Sequence, residues 1–483
     1  MVLYENRRIV IAGGGIAGLS TAWAIKQRAP QVDVVVLERG PRPGGNIRTE
    51  HMDGYVCESG PDGFLDTAPA TMTLVHELGL GSRLLPSNDQ ARRRYIFRNG
   101  RLSEVPTSFG AFLKTPLLST RGKLRILCEP FAPARRDDDE SISGFATRRI
   151  GREAAAVFVD PMVSGVYAGD AAALSLKACF PKMRQIEDDH GSLVRGLIAT
   201  RRTRRRTDTP GAPAGRLTSF TGGMSDLVDG LTRHLGSVVH TSIAVTSVRR
   251  NHTPTLSPTR SSGRAYDVTT SQGSLDADAV VLSGPAAESA AIVRELDSTL
   301  AASIEGIPTS PLAVVCLGYD EAAIRSECHL DGFGFLVPRG DGIRILGALW
   351  ETSIYQHRAP AGKALIRVMI GGARDPDAVT LCDAELRRIA RNDLKHTMKV
   401  SAMPEFVQVI RHARGIPQYV RGHQQRMQRI DALLKAHHGL FLSGNSYRGI
   451  SINACIADAP GVADAALRAI GATGSVQAGA MTA

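Results

Sequence analysis

Gly13, Gly15 and Gly18 stand in the spacing G-x-G-x-x-G, with Ile16 and Ala17 inside it, and Glu38 follows some way on. Residues of these types hold a ligand rather than break bonds. The first glycine permits a tight turn, the second lets a pyrophosphate approach the backbone, and the third lets a helix lie close to a strand. An acid about 20 residues after the last glycine is placed to accept hydrogen bonds from a ribose. The chemistry implied is the binding of a dinucleotide.

The flanking residues supply the elements that such a site needs. Ile9 to Ala12 is a short apolar run suited to a buried strand, Ile16 to Arg28 reads as a helix, and Val32 to Leu37 is a second strand that delivers Glu38. The helix start offers unpaired N–H groups and a positive dipole end to phosphates. Beyond Glu38, Arg39-Gly40-Pro41-Arg42-Pro43-Gly44-Gly45-Asn46 adds a second glycine pair where the chain can pass beside the same phosphates. This stretch resembles the extended FAD fingerprint of the amine-oxidase-like flavoproteins, so FAD is the expected cofactor. Gly60-Pro61-Asp62-Gly63 is a turn signal expected to run along it. Far away in the chain, Leu440 to Ser443 reads as a strand, Gly444-Asn445 as a turn and Ile450 to Ala469 as a mostly helical run. A second strand, glycine and helix start of this kind closes a flavin site, its dipole favouring an anionic reduced flavin.

The 483 residues suffice for about three domain-sized units. Aromatic residues make up 5%, which argues against a nucleic-acid stacking platform, and the formal charge of +11 favours anionic substrates or anionic membrane surfaces. Seven scattered cysteines without C-x-x-C or zinc spacing point to reduced thiols and to no metal site. The start MVLYENRR lacks the apolar core of a signal peptide, and no run of 18 apolar residues occurs. A cytoplasmic protein is expected, with peripheral contact on the inner face of the cell membrane as one option.

Three units are expected. Segments 1–90, 213–306 and 436–483 form the dinucleotide domain, 91–204 a helical insertion, 205–212 a linker and 307–435 a substrate domain with an antiparallel sheet roofing a pocket. Within the insertion, Asn99-Gly100 is a hairpin signal. Pro106 to Ala134 mixes Phe109, Phe112, Leu113, Leu124, Leu127 and Phe131 with Lys114, Arg121, Lys123 and Arg125. Such a stretch fits a membrane surface, and equally a core-facing helix pair with solvated cations. Arg201 to Gly215 reads as the clearest linker, a mobile charged loop rather than a nucleic-acid contact.

Several segments together resemble the FAD-dependent protoporphyrinogen/coproporphyrinogen oxidase family. They are Gly13 to Glu38, Gly60-Pro61-Asp62, Ser164 to Asp170, Leu174-Ser175-Leu176 with Phe180-Pro181, Gly332 to Pro338, Met369 to Gly372, Ile416 to Tyr419 with Gly422-His423, and Gly444-Asn445 with Gly449-Ile450-Ser451. The tyrosine-alanine-glycine and isoleucine-proline-glutamine-tyrosine pieces are the most selective. The implied fold is α/β with α+β: a Rossmann-type FAD-binding domain of discontinuous segments, a mixed-sheet substrate domain and a mostly helical insertion. The implied reaction removes six electrons from a porphyrinogen, with oxygen as acceptor and hydrogen peroxide as product, in heme biosynthesis. Protoporphyrinogen IX is the expected substrate and coproporphyrinogen III the alternative. The flavin carries the chemistry, so no catalytic side chain is expected. By position, Arg94 matches the arginine that meets a substrate carboxylate, Gly169 the glycine beside the reacting bridge carbon, and Leu336 and Met369 apolar residues that sandwich the ring. The cofactor residues so implied are Gly13, Gly15, Ile16, Ala17, Gly18, Glu38, Arg39, Gly44, Gly45, Asn46, Gly60, Pro61, Asp62, Val248, Gly444, Asn445, Gly449, Ile450 and Ile452. The chain departs from the family at Asn46, where Arg or Lys is usual, at Arg411-His412, where an aromatic is common, and at Asn445 to Arg448, where Arg448 adds a charge near flavin or substrate. A related amine or carotenoid-type flavin oxidoreductase and a non-catalytic flavin- or heme-handling protein are the competing readings. A homodimer is compatible with each.

Overall fold

The computed structural model describes residues 7–133, 137–204, 215–251, 264–340 and 342–472. Its centre is a five-stranded parallel sheet assembled from distant parts of the chain. The order is Val239–His240, Asp33–Leu37 (β2), Arg8–Ala12 (β1), Ala279–Leu282 and Leu440–Leu442. Strands buried on both faces must be apolar throughout, and the runs RIVIA, DVVVL and AVVL meet that demand. The helix Ile16–Arg28 (α1) and the last helix Ile452–Ala469 share one face of this sheet, in a core with Ile9, Ile11, Val34 and Val281. The meander Val245–Arg250, Tyr266–Thr270 and Gly273–Ala277 covers the other face with the helices Ala286–Val293 and Ser298–Glu305.

A seven-stranded mixed sheet forms the second layer system. Its order is Phe406–Pro417, Thr309–Asp320, Lys363–Gly371, Ile345–Trp350, Gly334–Leu336, Tyr95–Arg98 and Arg101–Glu104. All pairings are antiparallel except that of Gly334–Leu336 with Tyr95–Arg98. The hairpin at Asn99-Gly100 forms as its sequence demands, both residues taking positive φ of 53° and 74°. It does not belong to a helical insertion, however. Parallel pairing with Gly334–Leu336 makes it the edge of this sheet, so the helical part begins only at Phe109–Lys114.

Other expectations are corrected in detail. The stretch after Gly236 supplies two short strands, Val239–His240 and Val245–Arg250, in different sheets. The supposed linker at Arg201 is the end of a helix, Leu193–Arg204, while 205–212 and Ala134 lie outside the described residues. Phe406–Pro417 is a 12-residue strand that the sequence reading did not mark.

Candidate functional site

The C-terminal ends of β1, Ala279–Leu282 and Leu440–Leu442 meet in one crevice, the place where open parallel sheets bind ligands. There the three fingerprint glycines have separate physical reasons. Gly13 adopts φ of 113°, and its carbonyl accepts a hydrogen bond from Ser283 Oγ at 2.8 Å. A Cβ on Gly18 would collide with that carbonyl, so the third glycine lets α1 lie against β1. A Cβ on Gly15 would meet nothing within 4 Å, which leaves open space at the helix start. Gly15 is the N-cap and no side chain caps α1, so the first-turn N–H groups, those of Ile16 and Ala17 included, have no side-chain partner competing for them.

The second glycine pair sits on the first. Gly44 N donates to Gly14 O at 2.7 Å, Gly44 and Gly15 form an isolated bridge, and a Cβ on Gly45 would lie 3.5 Å from Gly15 Cα. Glu38 accepts from Gly14 N and Gly40 N, each at 2.8 Å, and both carboxylate oxygens keep acceptor capacity for a ribose. On the far side, Gly444 takes φ of 114° with its Cβ position 3.4 Å from Ser283 O and 3.7 Å from Ala17 Cβ. Tyr419 pins this turn: its hydroxyl donates to Asn445 O and accepts from Gly449 N, both at 2.7 Å. Ile450 packs with Tyr167 and Leu174, and Ile452 with Ile16 and Ala17.

Four expected cofactor residues are placed differently or with other partners. Val248 is fully buried beside Tyr266 and Val268, so its side chain faces the core, not the crevice. The chain that approaches Glu38 is instead Ser242-Ile243, through Ile243 N to Glu38 O at 2.9 Å and Ser242 N to Gly40 O at 2.8 Å. Arg39 is paired with Glu288 at 2.8 Å. Asn46 donates to Gly415 O at 3.3 Å, tying the glycine loop to the seven-stranded sheet. Asp62 lies 3.3 Å from Arg367, and Arg448 likewise spends its charge elsewhere, on Asp431 at 2.8 Å.

Directly opposed residues of neighbouring strands point to the same face of a sheet. The register Leu336–Gly347–Met369–Val314–Ile410 is therefore one cross-strand row. A Cβ on Gly347 would come within 3.1 Å of Leu336 Cδ2, so the glycine lets Leu336 lie over the neighbouring strand; Leu336 and Met369 are both half-buried. Above the row runs the helix Asp160–Tyr167, where a Cβ on Gly165 would come to 2.6 Å from Leu336 Cδ2. Ala168 follows in the left-handed conformation, φ 46°, its carbonyl held by Ser310 Oγ and by Ala373 N, both at 2.7 Å. Gly169 is buried against Gln418 and Leu174 with no room for a Cβ. Arg94 is exposed at the rim, its guanidinium 5.1 Å from the centre of the Phe333 ring. Among the described residues no carboxylate pairs with it, whereas Arg93 is held by Glu104 and Asp331. Leu336 and Met369 thus share one row of a sheet face, with Arg94 and Gly169 on adjoining segments.

A buried charge cluster lies on the same sheet face and was missed by sequence reasoning. Arg367 stands two residues from Met369, and its Nη1 donates to Gly60 O at 2.8 Å and to Glu58 O at 3.1 Å. Its Nε is 2.9 Å from Glu351 Oε1 but poorly aligned, a Coulomb contact rather than a hydrogen bond. Arg358 lies 3.4 Å from Glu58 and donates to Ser219 Oγ at 2.7 Å. Burial pushes Glu351 up to about 7, against the pull of Arg367. Burial also holds His412 below its ordinary value while it contacts Ser59 O at 2.7 Å. The signal in the sequence was the lone arginine in the apolar run Leu365 to Ile370.

Cradle, open space at Gly15, ribose-side acid and closing turn fit a flavin dinucleotide. The class is that of a flavoprotein oxidoreductase. A sequence profile of the family described as flavin containing amine oxidoreductase matches residues 16–467, and the chain belongs to that family. Its cofactor is FAD. Among curated relatives, the coproporphyrinogen III oxidase of Bacillus subtilis is 32% identical, over 93% of this chain and 96% of the relative. The chloroplastic protoporphyrinogen oxidase of rice is 34% identical, over 92% of this chain and 85% of the relative. A crystal structure of an Exiguobacterium protein assigned as a protoporphyrinogen oxidase superposes with a TM-score of 0.81 at 25% identity, covering 95% of this chain and 98% of that one.

Proposed function

We propose that this flavoenzyme oxidises a porphyrinogen to the porphyrin in heme biosynthesis, with protoporphyrinogen IX as substrate, oxygen as final acceptor and hydrogen peroxide as product. The observation that carries this reading is the sheet face on which Leu336 and Met369 stand in one row, next to Gly165, with Arg94 beside Phe333 and unpaired among the described residues; we take this face as the substrate slot. A macrocycle offers two apolar faces and carboxylates at an edge, and these surfaces match it. Bound FAD supplies two-electron acceptance, so six electrons leave in three rounds. The residues of the chain position: Leu336 and Met369 lie against a ring face, Arg94 anchors a carboxylate, and the clamped Ala168-Gly169 turn keeps one edge free of side chains. Anaerobic mixing with protoporphyrinogen IX tests the proposal. Flavin bleaching together with rising porphyrin fluorescence is expected; an unbleached flavin with either porphyrinogen sinks it.

A second substrate reading, coproporphyrinogen III, is favoured by the Bacillus relative, and steady-state rates with both substrates separate the two. Peripheral membrane contact belongs to the same proposal. Phe109 and Phe131 are 65% and 83% exposed, with Leu113, Leu124 and Leu127 also outward among Lys114 and Arg121. This is the composition of an interfacial surface. No helix among the described residues is long and apolar enough to cross a membrane. Co-sedimentation with anionic phosphatidylglycerol vesicles, lost in a Phe109→Ser/Phe131→Ser variant, is the expected result.

A further inference from the structure

The proposed slot has a cation to either side of Leu336, and the two ends differ. Three residues before Leu336 is Phe333, under Arg94; three residues after it is Arg339. Arg339 donates to Asp160 at 3.1 Å and to Asp170 at 2.6 Å. Arg374 donates to the same two acids, at 2.9 Å and 3.0 Å. It belongs to the segment whose Ala373 N clamps the Ala168 carbonyl. Two arginines and two aspartates thus close a square with no net charge at the Gly169 end. Arg374 Nε is buried and unpartnered among the described residues, a donor that the square leaves unused.

We propose that Asp160 and Asp170 set substrate selectivity by neutralising Arg339 and Arg374. The inference rests on the porphyrinogen reading. The Arg94 end accepts the carboxylated edge of the substrate, and the neutral end accepts an apolar edge. Carboxylates on the opposite edge, as in a tetracarboxylate, would face two aspartates with no free cation among the described residues to meet them. This is discrimination by a repulsive element as much as by an attractive one. Removing one acid leaves a net positive charge, and that end then tolerates carboxylates.

The test is the ratio of kcat/KM for coproporphyrinogen III over protoporphyrinogen IX in flavin-loaded protein. In Asp170→Asn and in Asp160→Asn the ratio is expected to rise about fivefold, the size of one half-exposed charge contact. Asparagine at position 170 still accepts from Ala172 N, now bonded at 2.9 Å, so the local turn is kept. Arg339→Ala, on a half-exposed side chain, should lower the ratio, and Asp170→Asn/Arg339→Ala should return it toward wild type. A ratio unmoved in the folded single variants overturns the proposal, as does a rise that persists in the double variant. A wild-type enzyme that binds FAD yet turns over neither substrate would instead sink the porphyrinogen reading, a result visible before any variant is made.

Discussion

Glu351→Gln offers the sharpest check on the buried cluster behind the slot. Glu58, Asp62 and Glu351 face Arg358 and Arg367, so three acids meet two cations. With Glu351 protonated the remaining charges balance; with Glu351 ionised, a net negative charge sits in the interior. That imbalance, added to burial, explains why its carboxyl is pushed from 4.5 up to about 7. The folded state therefore holds the proton more tightly than the unfolded chain. Stability from this group is fully present below about 4.5 and is lost as pH rises through about 7. A displacement of this size corresponds to about 3 kcal/mol between the two limits.

Glutamine keeps the shape of the neutral acid and cannot ionise. Wild type and Glu351→Gln should unfold with similar free energies near pH 5. At pH 8 the variant should be the more stable by about 3 kcal/mol, because wild type then carries the uncompensated charge. Denaturant unfolding in saturating FAD at pH 5, 6, 7 and 8 measures the difference curve. Glu58, also raised by burial, is present in both proteins but titrates together with Glu351, so the difference curve reports the pair. A difference independent of pH, or a variant that grows relatively weaker toward pH 8, refutes the charge count.

Three further outcomes follow from the geometry. Gly15→Ala places a methyl in open space, so the apoprotein should keep its Tm while FAD affinity falls at least about tenfold; Gly18→Ala, which collides with the Gly13 carbonyl, should lower apoprotein Tm as well. Tyr419→Phe removes the hydroxyl that joins Asn445 O to Gly449 N, and should cost about 1–3 kcal/mol of holoprotein stability, read as earlier flavin fluorescence release on heating. Gly165→Ala pushes a methyl toward Leu336 at the slot, so KM should rise several-fold with the flavin spectrum unchanged, measured by steady-state porphyrin fluorescence.

The dinucleotide unit was readable because its demands are local. Turn, helix start and flanking strands fall within Arg8 to Glu38, and each glycine answers a constraint set by near neighbours or by the ligand. The segments bordering the slot were marked only through family resemblance, since what brings Arg94 beside Phe333 is parallel pairing of strands far apart in the chain. Phe406–Pro417 escaped notice because it is an edge strand: Arg411, facing solvent, and His412, turned inward to Ser59 O, interrupt its apolar alternation. Val248 is the opposite case: its side chain is closed over by Tyr266 and Val268, later in the chain, which leaves its backbone to face a cofactor. Arg367 shows where sequence signals stop. A guanidinium inside Leu365 to Ile370 cannot stay buried alone, because an unpaired internal charge costs several kcal/mol. The run therefore announces that acids must meet it. Which acids they are is decided by the fold, which draws Glu351 from the next strand's end and Asp62 with the Gly60 carbonyl from the cofactor domain, and so makes this arginine one of the ties between the two halves of the site.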